Sequence, residues 1–505
     1  MRRLVVCCDG TWNTPDQYHA GVPIPTNVRR LHNCVAPRDA DGVEQIPYYH
    51  PGIGTEGRLL ARMLGGATGA GLDRNVLSAY KWLATTYHPE DRIFLFGFSR
   101  GAYTVRCLAG LICACGLPIL DRLSENLKWK TAANVFRQGY RLRKPAAETA
   151  ITDRHRFPGV YFLGVWDTVG ALGIPNEFAI LSFLNILKRR RFHNTALSER
   201  VEHARHAVAI DEQRGSFSPT LWTNIDNRPT VKQVWFPGAH CDVGGGYPEK
   251  GLSDGALKWM MDEAMDHGLA FLSDMREQIQ PNFQDVLHES STGIFRHLEI
   301  QPRSIPLLDG ANPSAIVHPS TYKRQAHPPI AQASYHSCRI LQPDETTKPI
   351  PIYAAQRWNE TDIYLEAGCS YELFAQGQWL DRNVKCGPAG MADGTIQIGK
   401  LAHMTGSLWS HVEHAYHKLT RNRDADFVWT KREESMPWFC LVGVIANAGN
   451  PDENGTPARH QTFCVGNKCT VTPEKSGYLY CFANDAWTSY GNNKGSVPLT
   501  VHRCP

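Results

Sequence analysis

One serine stands between two glycines at the end of an apolar run, FLFGFSRGAY, Phe94 to Tyr103. A G-x-S-x-G nucleophile needs a strand before the serine and a helix after it. The glycines remove side chains where the two elements approach, and the sharp turn then presents the hydroxyl. RIFLFGF supplies the strand and the run from Ala102 the helix, so Ser99 is a candidate nucleophile at a helix N-terminus, where developing negative charge is favoured. The plainer reading of the same residues is a serine in a tight turn. A serine hydroxyl needs a base that is itself oriented by an acid. GVYFLGVWDTVG puts Asp167 at the end of one apolar run, in a turn closed by Gly170, and VKQVWFPGAHCDVGGGY puts His240 at the end of another, ahead of three glycines. The order Ser99, Asp167, His240 is that of α/β-hydrolases. Asp242 is the alternative acid and His318, in IVHPS, the alternative base. Asp167 is preferred because it ends a strand, and His240 because its glycine-rich turn leaves room for a substrate. The oxyanion donors of this arrangement would be the N–H of Arg100 and one from the loop after the first strand, LVVCCDGTWN. There Gly10 and Thr11 are candidates, and Asp9 is at least as well suited to bracing the loop.

Positioning such groups requires strand ends on one edge of a sheet, and the first 330 residues have that grammar. Short apolar runs (LVVCC, IPYYHPG, RIFLFGF, GVYFLGVWD, VKQVWFPGAH) alternate with amphipathic stretches. The latter are LDRNVLSAYKWLATTY after the glycine-rich GGATGAG, SERVEHARHAVAIDE, and LSDGALKWMMDEAMDHG with Ser253 as its N-cap. This predicts an α/β fold with a mostly parallel sheet and covering helices. From about Tyr335 helical periodicity nearly vanishes, and YELFAQGQW, WFCLVGVIAN, HQTFCVGN, GYLYCFAND and SVPLTVHR predict an all-β sandwich. With HPPIAQASYH, His327 to His336, as linker, the expected units are a catalytic domain over 1–330 and a β domain over 338–505.

A length of 505 residues leaves room for two or three cores. A net charge of +4 on this length is close to neutral and gives no reason to expect nucleic acid as a partner, since phosphate binders usually present a concentrated basic face. MRRLVVCCD has too short an apolar run for a secretory signal and reads as a first strand, and no stretch is long enough to span a membrane. FAILSFLNIL, Phe178 to Leu187, runs into Lys188, Arg189, Arg190 and Arg191. It suits a buried cap or lid helix, with a membrane-surface helix as the alternative. Eight of the fifteen cysteines lie between Cys338 and Cys504, which raises disulfides in that half, with Cys464 and Cys469 spaced to close a small loop; zinc is less favoured without paired C-x2-C units.

CDGTWN, YYHPGIGT, GFSRGAYTVR, VWDTVGALG and WFPGAHCDVGGGY, five ordered blocks within about residues 1–325, together resemble the α/β-hydrolase domain of type VI secretion phospholipase effectors. The resemblance implies a serine lipase or esterase acting on phospholipids, with its triad on Ser99, Asp167 and His240 and no cofactor for catalysis. It also implies synthesis in the cytoplasm, export by the type VI route to a target-cell periplasm or membrane, a secretion-apparatus partner and an immunity protein. ANDAWTSYGNNKGSVPLTV, Ala483 to Val501, with AQGQWLDRNVKCGPAG and LVGVIANAG, is similar to a calcium-dependent galactose-binding bacterial lectin. That resemblance implies Ca2+ held by the side chains of Asp485, Asn492 and Asn493 and the backbone of Ser489, and a glycan partner on which Trp379 and Trp487 could stack. An Asn/Gly hairpin that satisfies only its own turn is the plainer reading, and no segment between Gly390 and Lys400 matches the lectin's histidine-containing sugar loop. The competing function is a lectin-like adhesin whose hydrolase half is a degenerate scaffold.

Overall fold

The structure, a computed structural model, describes residues 1–10, 18–19, 21–52, 69–142, 155–169, 196–292, 300–391, 431–452 and 457–505. Thr11, Gly170, most of GGATGAG, and the segment from Phe178 through Arg191 lie outside the described residues.

Six strands form one sheet: β1 (Arg3–Cys8), β2 (Gln45–His50), β3 (Arg92–Phe98), β4 (Val160–Trp166), β5 (Val201–Ala209) and β6 (Val231–Phe236). Their spatial order is β6-β5-β4-β3-β1-β2, and every neighbouring pair is parallel. Parallel strands need crossovers, which place helices on both faces and bury both sides of each strand. Leu4 and Val6 of β1 accordingly face one core, with Val76 and Tyr80 of α2 (Gly69–Thr86) and Val105 and Leu108 of α3 (Arg100–Cys115). Val5 and Cys7 face the other, with Val28 and Leu31 of α1 (Asn27–Cys34) and Leu257 and Met260 of α5 (Gly251–Asp266), which follows the short α4 (His240–Gly244). The chain reverses its winding between β1 and β3, and ligand sites of open α/β sheets gather at the carboxyl ends beside such a switch point. No helix among the described residues is long and apolar enough to cross a membrane.

Three sequence expectations are corrected here. SERVEHARHAVAIDE is not a helix: Val201–Ala209 is β5, paired residue by residue with β4 and β6, and burial within the sheet overrides its helical spacing. Ser253 is not the N-cap of its helix; Lys250 is, and Ser253 lies inside, its hydroxyl donating to the Lys250 carbonyl at 3.0 Å. The cysteines are all free thiols, Cys464 and Cys469 included.

The C-terminal half contains two four-stranded antiparallel sheets. One orders Ile350–Tyr353, Ser496–Arg503, Tyr371–Ala375 and Lys468–Val471; the other orders Asn359–Leu365, Gly477–Ala483, Leu441–Ala446 and Gln461–Cys464. Ile352, Leu373 and Leu499 from the first and Ile363, Leu441 and Leu479 from the second share one core, which makes a sandwich. A separate apolar cluster joins the halves: Val208, Ile210, Trp235 and Leu308 pack with Ala446, Tyr478 and Tyr480.

Candidate active site

Ser99 is the residue between β3 and α3, with φ 57° and ψ −123°, a conformation that L residues adopt only under constraint. The constraint is close packing. A Cβ on Gly97 would fall 2.5 Å from the Gly101 carbonyl oxygen, and one on Gly101 would run into the carbonyl oxygen of Cys8 at the end of β1. This is the sharp strand-to-helix turn expected of a nucleophile elbow.

Asp167 follows β4 as Ser99 follows β3. Phe98 and Trp166 are paired across the two strands, and the Ser99 N–H donates to the Trp166 carbonyl at 3.1 Å. Asp167 also has positive φ, 35°, and is fully buried. Its Oδ2 lies 2.5 Å from His240 Nδ1. The Ala209 N–H donates to Oδ1 at 3.0 Å, and the Arg303 guanidinium forks onto both oxygens, Nη1 to Oδ1 at 2.7 Å and Nη2 to Oδ2 at 2.9 Å. Burial alone would push the Asp167 carboxyl up, but Arg303 and His240 outweigh it and hold the group well below the usual carboxylate range. Asp167 is therefore an anion that fixes the His240 tautomer with Nδ1 protonated, leaving Nε2 as the basic nitrogen.

His240 opens α4 just beyond β6, and its ring packs between Phe98 at 4.6 Å and Phe217 at 5.0 Å. The contact with Phe98 sets the imidazole beside the residue that precedes Ser99. Burial lowers the His240 pKa, Asp167 opposes the shift, and the Arg214 charge adds to it. Arg214 is paired with buried Glu212, whose Oε2 lies 2.7 Å from Arg214 Nη2 and accepts the His240 N–H at 3.3 Å. Burial would raise the Glu212 carboxyl, and Arg214 brings it down to about 2.

The two alternatives are engaged elsewhere. Asp242 bonds His288 Nδ1 at 2.6 Å and caps the turn at Ala239, while His318 caps the helix Pro319–Ala326 and stacks on Phe236 at 4.4 Å. Of the oxyanion donors, Arg100 heads α3 as expected. The Gly10 N–H donates to Asp9 Oδ1 at 2.7 Å, so it can meet a substrate oxygen only once released from that carboxylate. Asp9 braces the loop, its Oδ2 accepting from Thr26 Oγ1 at 2.6 Å and Tyr49 OH at 2.8 Å. Arg303, Glu212 and Arg214 were not found by sequence reasoning. Arg303 sits in irregular chain 136 residues from Asp167, where no spacing or motif singles it out.

With this geometry in view, the sequence model described as "T6SS, Phospholipase effector Tle1-like, catalytic domain" matches residues 2–263, just over half of the chain. The chain belongs to the Tle1-like phospholipase effector family of type VI secretion. A Saccharomyces cerevisiae (strain ATCC 204508 / S288c) protein described as "Uncharacterized protein YEL023C" is 31% identical over 252 residues, 46% of this chain and 34% of that protein. Two solved structures are also similar: the Tle1 effector bound to the VgrG spike from the type 6 secretion system, at 20% identity and TM-score 0.30, covering 49% of this chain and 51% of that one; and the EclA N-terminal domain, a PllA-like lectin, at 14% identity and TM-score 0.19, covering 31% and 97%. The chain thus spans about a third of the length of that curated relative and about half of the Tle1 effector.

In this Tle1-like chain the second candidate site is the loop around Asp485. Asp485 is buried, its Oδ2 accepting from Asn493 Nδ2 at 2.9 Å and its Oδ1 from the Ala486 N–H at 2.7 Å. Burial pushes its carboxyl up to about 7, and the nearby charge of Asp381 adds to the shift. The side-chain oxygens Oδ1 of Asn492 and Asn493 are buried with no hydrogen-bond partner among the described residues. Ser489 begins the short turn Tyr490–Asn492, its carbonyl accepting the Asn492 N–H at 3.1 Å. Among the described residues no three His, Cys, Asp or Glu side chains gather around a metal-sized point, so a cation here would draw on amide and carbonyl oxygens. Amide, carboxyl and carbonyl oxygens are of the kind a hard cation such as Ca2+ takes. The tryptophans do not serve a sugar: Trp379 is 1% and Trp487 5% exposed, so neither offers a ring face.

Proposed function

We propose that the chain is a serine phospholipase of the A type, with Ser99 as nucleophile, His240 as general base then acid, and Asp167 as the orienting anion. The observation that carries the reading is the 2.5 Å contact between His240 Nδ1 and Asp167 Oδ2, next to the turn where the Ser99 N–H bonds the Trp166 carbonyl and Phe98 packs on the His240 ring. The Ser99 hydroxyl passes its proton to His240 Nε2 as Oγ bonds to the acyl carbonyl carbon. The Arg100 N–H at the head of α3 receives the oxyanion. Collapse breaks the carbon–alkoxy bond, His240 returns the proton to the departing lysolipid oxygen, and water repeats the sequence to release fatty acid. A second oxyanion donor would come from Thr11 or from Gly10 after release from Asp9.

Family membership supports export as a type VI effector to a target-cell periplasm or membrane, with a secretion-apparatus component and an immunity protein as partners. We assign 1–330 to catalysis and 338–505 to a lectin-like module. The unpartnered Asn492 and Asn493 oxygens support a Ca2+ site there, with Asp485 and the Ser489 carbonyl as further ligands and a glycan-bearing surface as target. Such a module raises the local concentration of lipid without altering the chemistry.

The test is hydrolysis of phospholipid vesicles and of a p-nitrophenyl acyl ester by the full chain, with free fatty acid and lysolipid identified. Wild-type turnover that Ser99→Ala removes is expected. Equal, negligible turnover by both returns the chain to the adhesin class.

A further inference from the structure

We propose that Arg303 is the positioning residue for the Asp167–His240 pair, and that the β module sets it, so that the catalytic constellation is complete only with both halves docked. The proposal rests on the serine-hydrolase reading above. Both terminal nitrogens of the Arg303 guanidinium are fully engaged: Nη1 donates to Asp167 Oδ1 and to the Ala209 carbonyl, each at 2.7 Å, and Nη2 to Asp167 Oδ2 at 2.9 Å and to the Phe217 carbonyl at 2.7 Å. One planar fork thereby fixes the carboxylate plane, the end of β5 and the residue whose ring packs on His240. The Arg303 side chain is 4% exposed, so its charge acts without solvent screening.

Arg303 lies beyond the residues the family model matches, in an irregular segment supported from two sides. On the hydrolase side Ile300 bridges Arg214, and the Gln301 N–H donates to the Gln213 carbonyl at 2.7 Å. On the β-module side Trp358 Nε1 donates to the Ile300 carbonyl at 2.7 Å, and His460 Nε2 to the Pro302 carbonyl at 2.8 Å. His460 Nδ1 accepts the Ala448 N–H at 3.0 Å, which places the ring proton on Nε2 and makes that bond a donation to Pro302. Carbonyls on either side of Gln301, immediately before the arginine, are thus held by the other half of the chain.

Among the described residues the charged groups acting on His240 are Asp167, Glu212 and Arg214, with Arg303 acting through Asp167 and the Cys241 thiol pushed up by burial to about 12 and so neutral. Removing the Arg303 cation leaves Asp167 uncompensated, which stabilises the imidazolium.

The experiment is steady-state ester hydrolysis by the full chain between about pH 5 and about pH 9, with melting measured alongside. Arg303→Met is expected to lower kcat on the order of 10²-fold with KM within about threefold, and to move the acid limb of kcat/KM up by about one pH unit. Arg303→Lys, which keeps the charge, recovers part of kcat and returns the limb toward wild type. His460→Leu lowers kcat roughly three- to tenfold and has no further effect in the Arg303→Met background, because the two act on one element. Equal turnover by wild type and Ser99→Ala overturns this proposal together with the serine-hydrolase reading. A normal Ser99→Ala result with an Arg303→Met profile superimposable on wild type overturns the positioning role alone. Should Arg303→Met not fold, His460→Leu decides: a lowered melting temperature with kcat unchanged overturns the proposal.

Discussion

At the carboxyl edge of the parallel sheet, Asp167 has two donors on each oxygen, and Glu212 is held by Arg214, the His240 N–H and Ser290 Oγ at 2.8 Å. In the Asp485 loop, two buried amide oxygens have no donor among the described residues and a carboxyl is pushed up by burial. Other buried atoms are unpaired too, Arg303 Nε among them, but the Asp485 loop gathers two unpaired acceptor oxygens in one turn beside a buried carboxyl, which calls for an explanation. On the function proposed above, the contrast separates a site that carries its own charges from one that a cation from outside would complete. The first would act as soon as the chain folds; the second would couple its stability to what it binds.

The largest effect should come from the nucleophile. Ser99→Ala is expected to lower kcat on the order of 10⁵-fold or more while the fold persists, since alanine keeps the turn's packing. Near-wild-type turnover would break the contrast at its stronger end. Asp167→Asn comes next. It should cost about 10⁴-fold in kcat through loss of the required tautomer, and about 3–5 kcal/mol in stability because the buried Arg303 and His240 lose their anion. Rate and thermal unfolding measured on the same preparation must move together. An unchanged melting temperature would mean that the Arg303 fork contributes little to the fold.

The strand-end positions of Ser99, Asp167 and His240 were legible in the sequence because each ends an apolar run and two precede glycine-marked turns, local signals that survive in one dimension. The brace role of Asp9 was legible for the same reason. Arg303 was not: its meaning lies in a contact 136 residues away, made from chain without periodicity. SERVEHARHAVAIDE misled because residues buried on both faces of a central strand need no alternation, and Arg205 is accommodated there because Glu263 lies 2.6 Å from its Nε and the Ala204 and Thr230 carbonyls accept from its Nη1. Five of the eight sandwich strands were readable from short runs between turns, while Ile350–Tyr353, Asn359–Leu365 and Lys468–Val471 were not, and the cysteine clustering was not a disulfide framework, since packing alone explains the buried thiols.

A cation test addresses the other end of the contrast. Adding Ca2+ to the chelated full chain should raise stability by about 2.7 kcal/mol at a hundredfold excess over Kd, read as a shift of a few degrees in melting temperature. Asp485→Asn or Asn493→Leu should abolish the shift. A wild-type chain that melts identically with Ca2+ and with chelator would make the unpaired oxygens a local defect and not a site.

The smallest predicted effect is the wild-type pH profile, and it asks whether the catalytic cluster is tuned by its own charges. The base works as neutral imidazole, so activity falls as pH drops through the His240 pKa. Burial and the Arg214 charge lower that pKa, with Asp167 opposing, so the acid limb of kcat/KM should lie below the ordinary histidine value of about 6.5. Stability moves in the same direction: below about 6.5 the unfolded chain takes up a proton that folded His240 resists, so folding weakens as pH falls. Initial rates must therefore be taken where melting still lies well above the assay temperature. A limb above the ordinary histidine value under those conditions would mean that Asp167 outweighs burial, and that Arg303 does not offset the anion as its geometry implies.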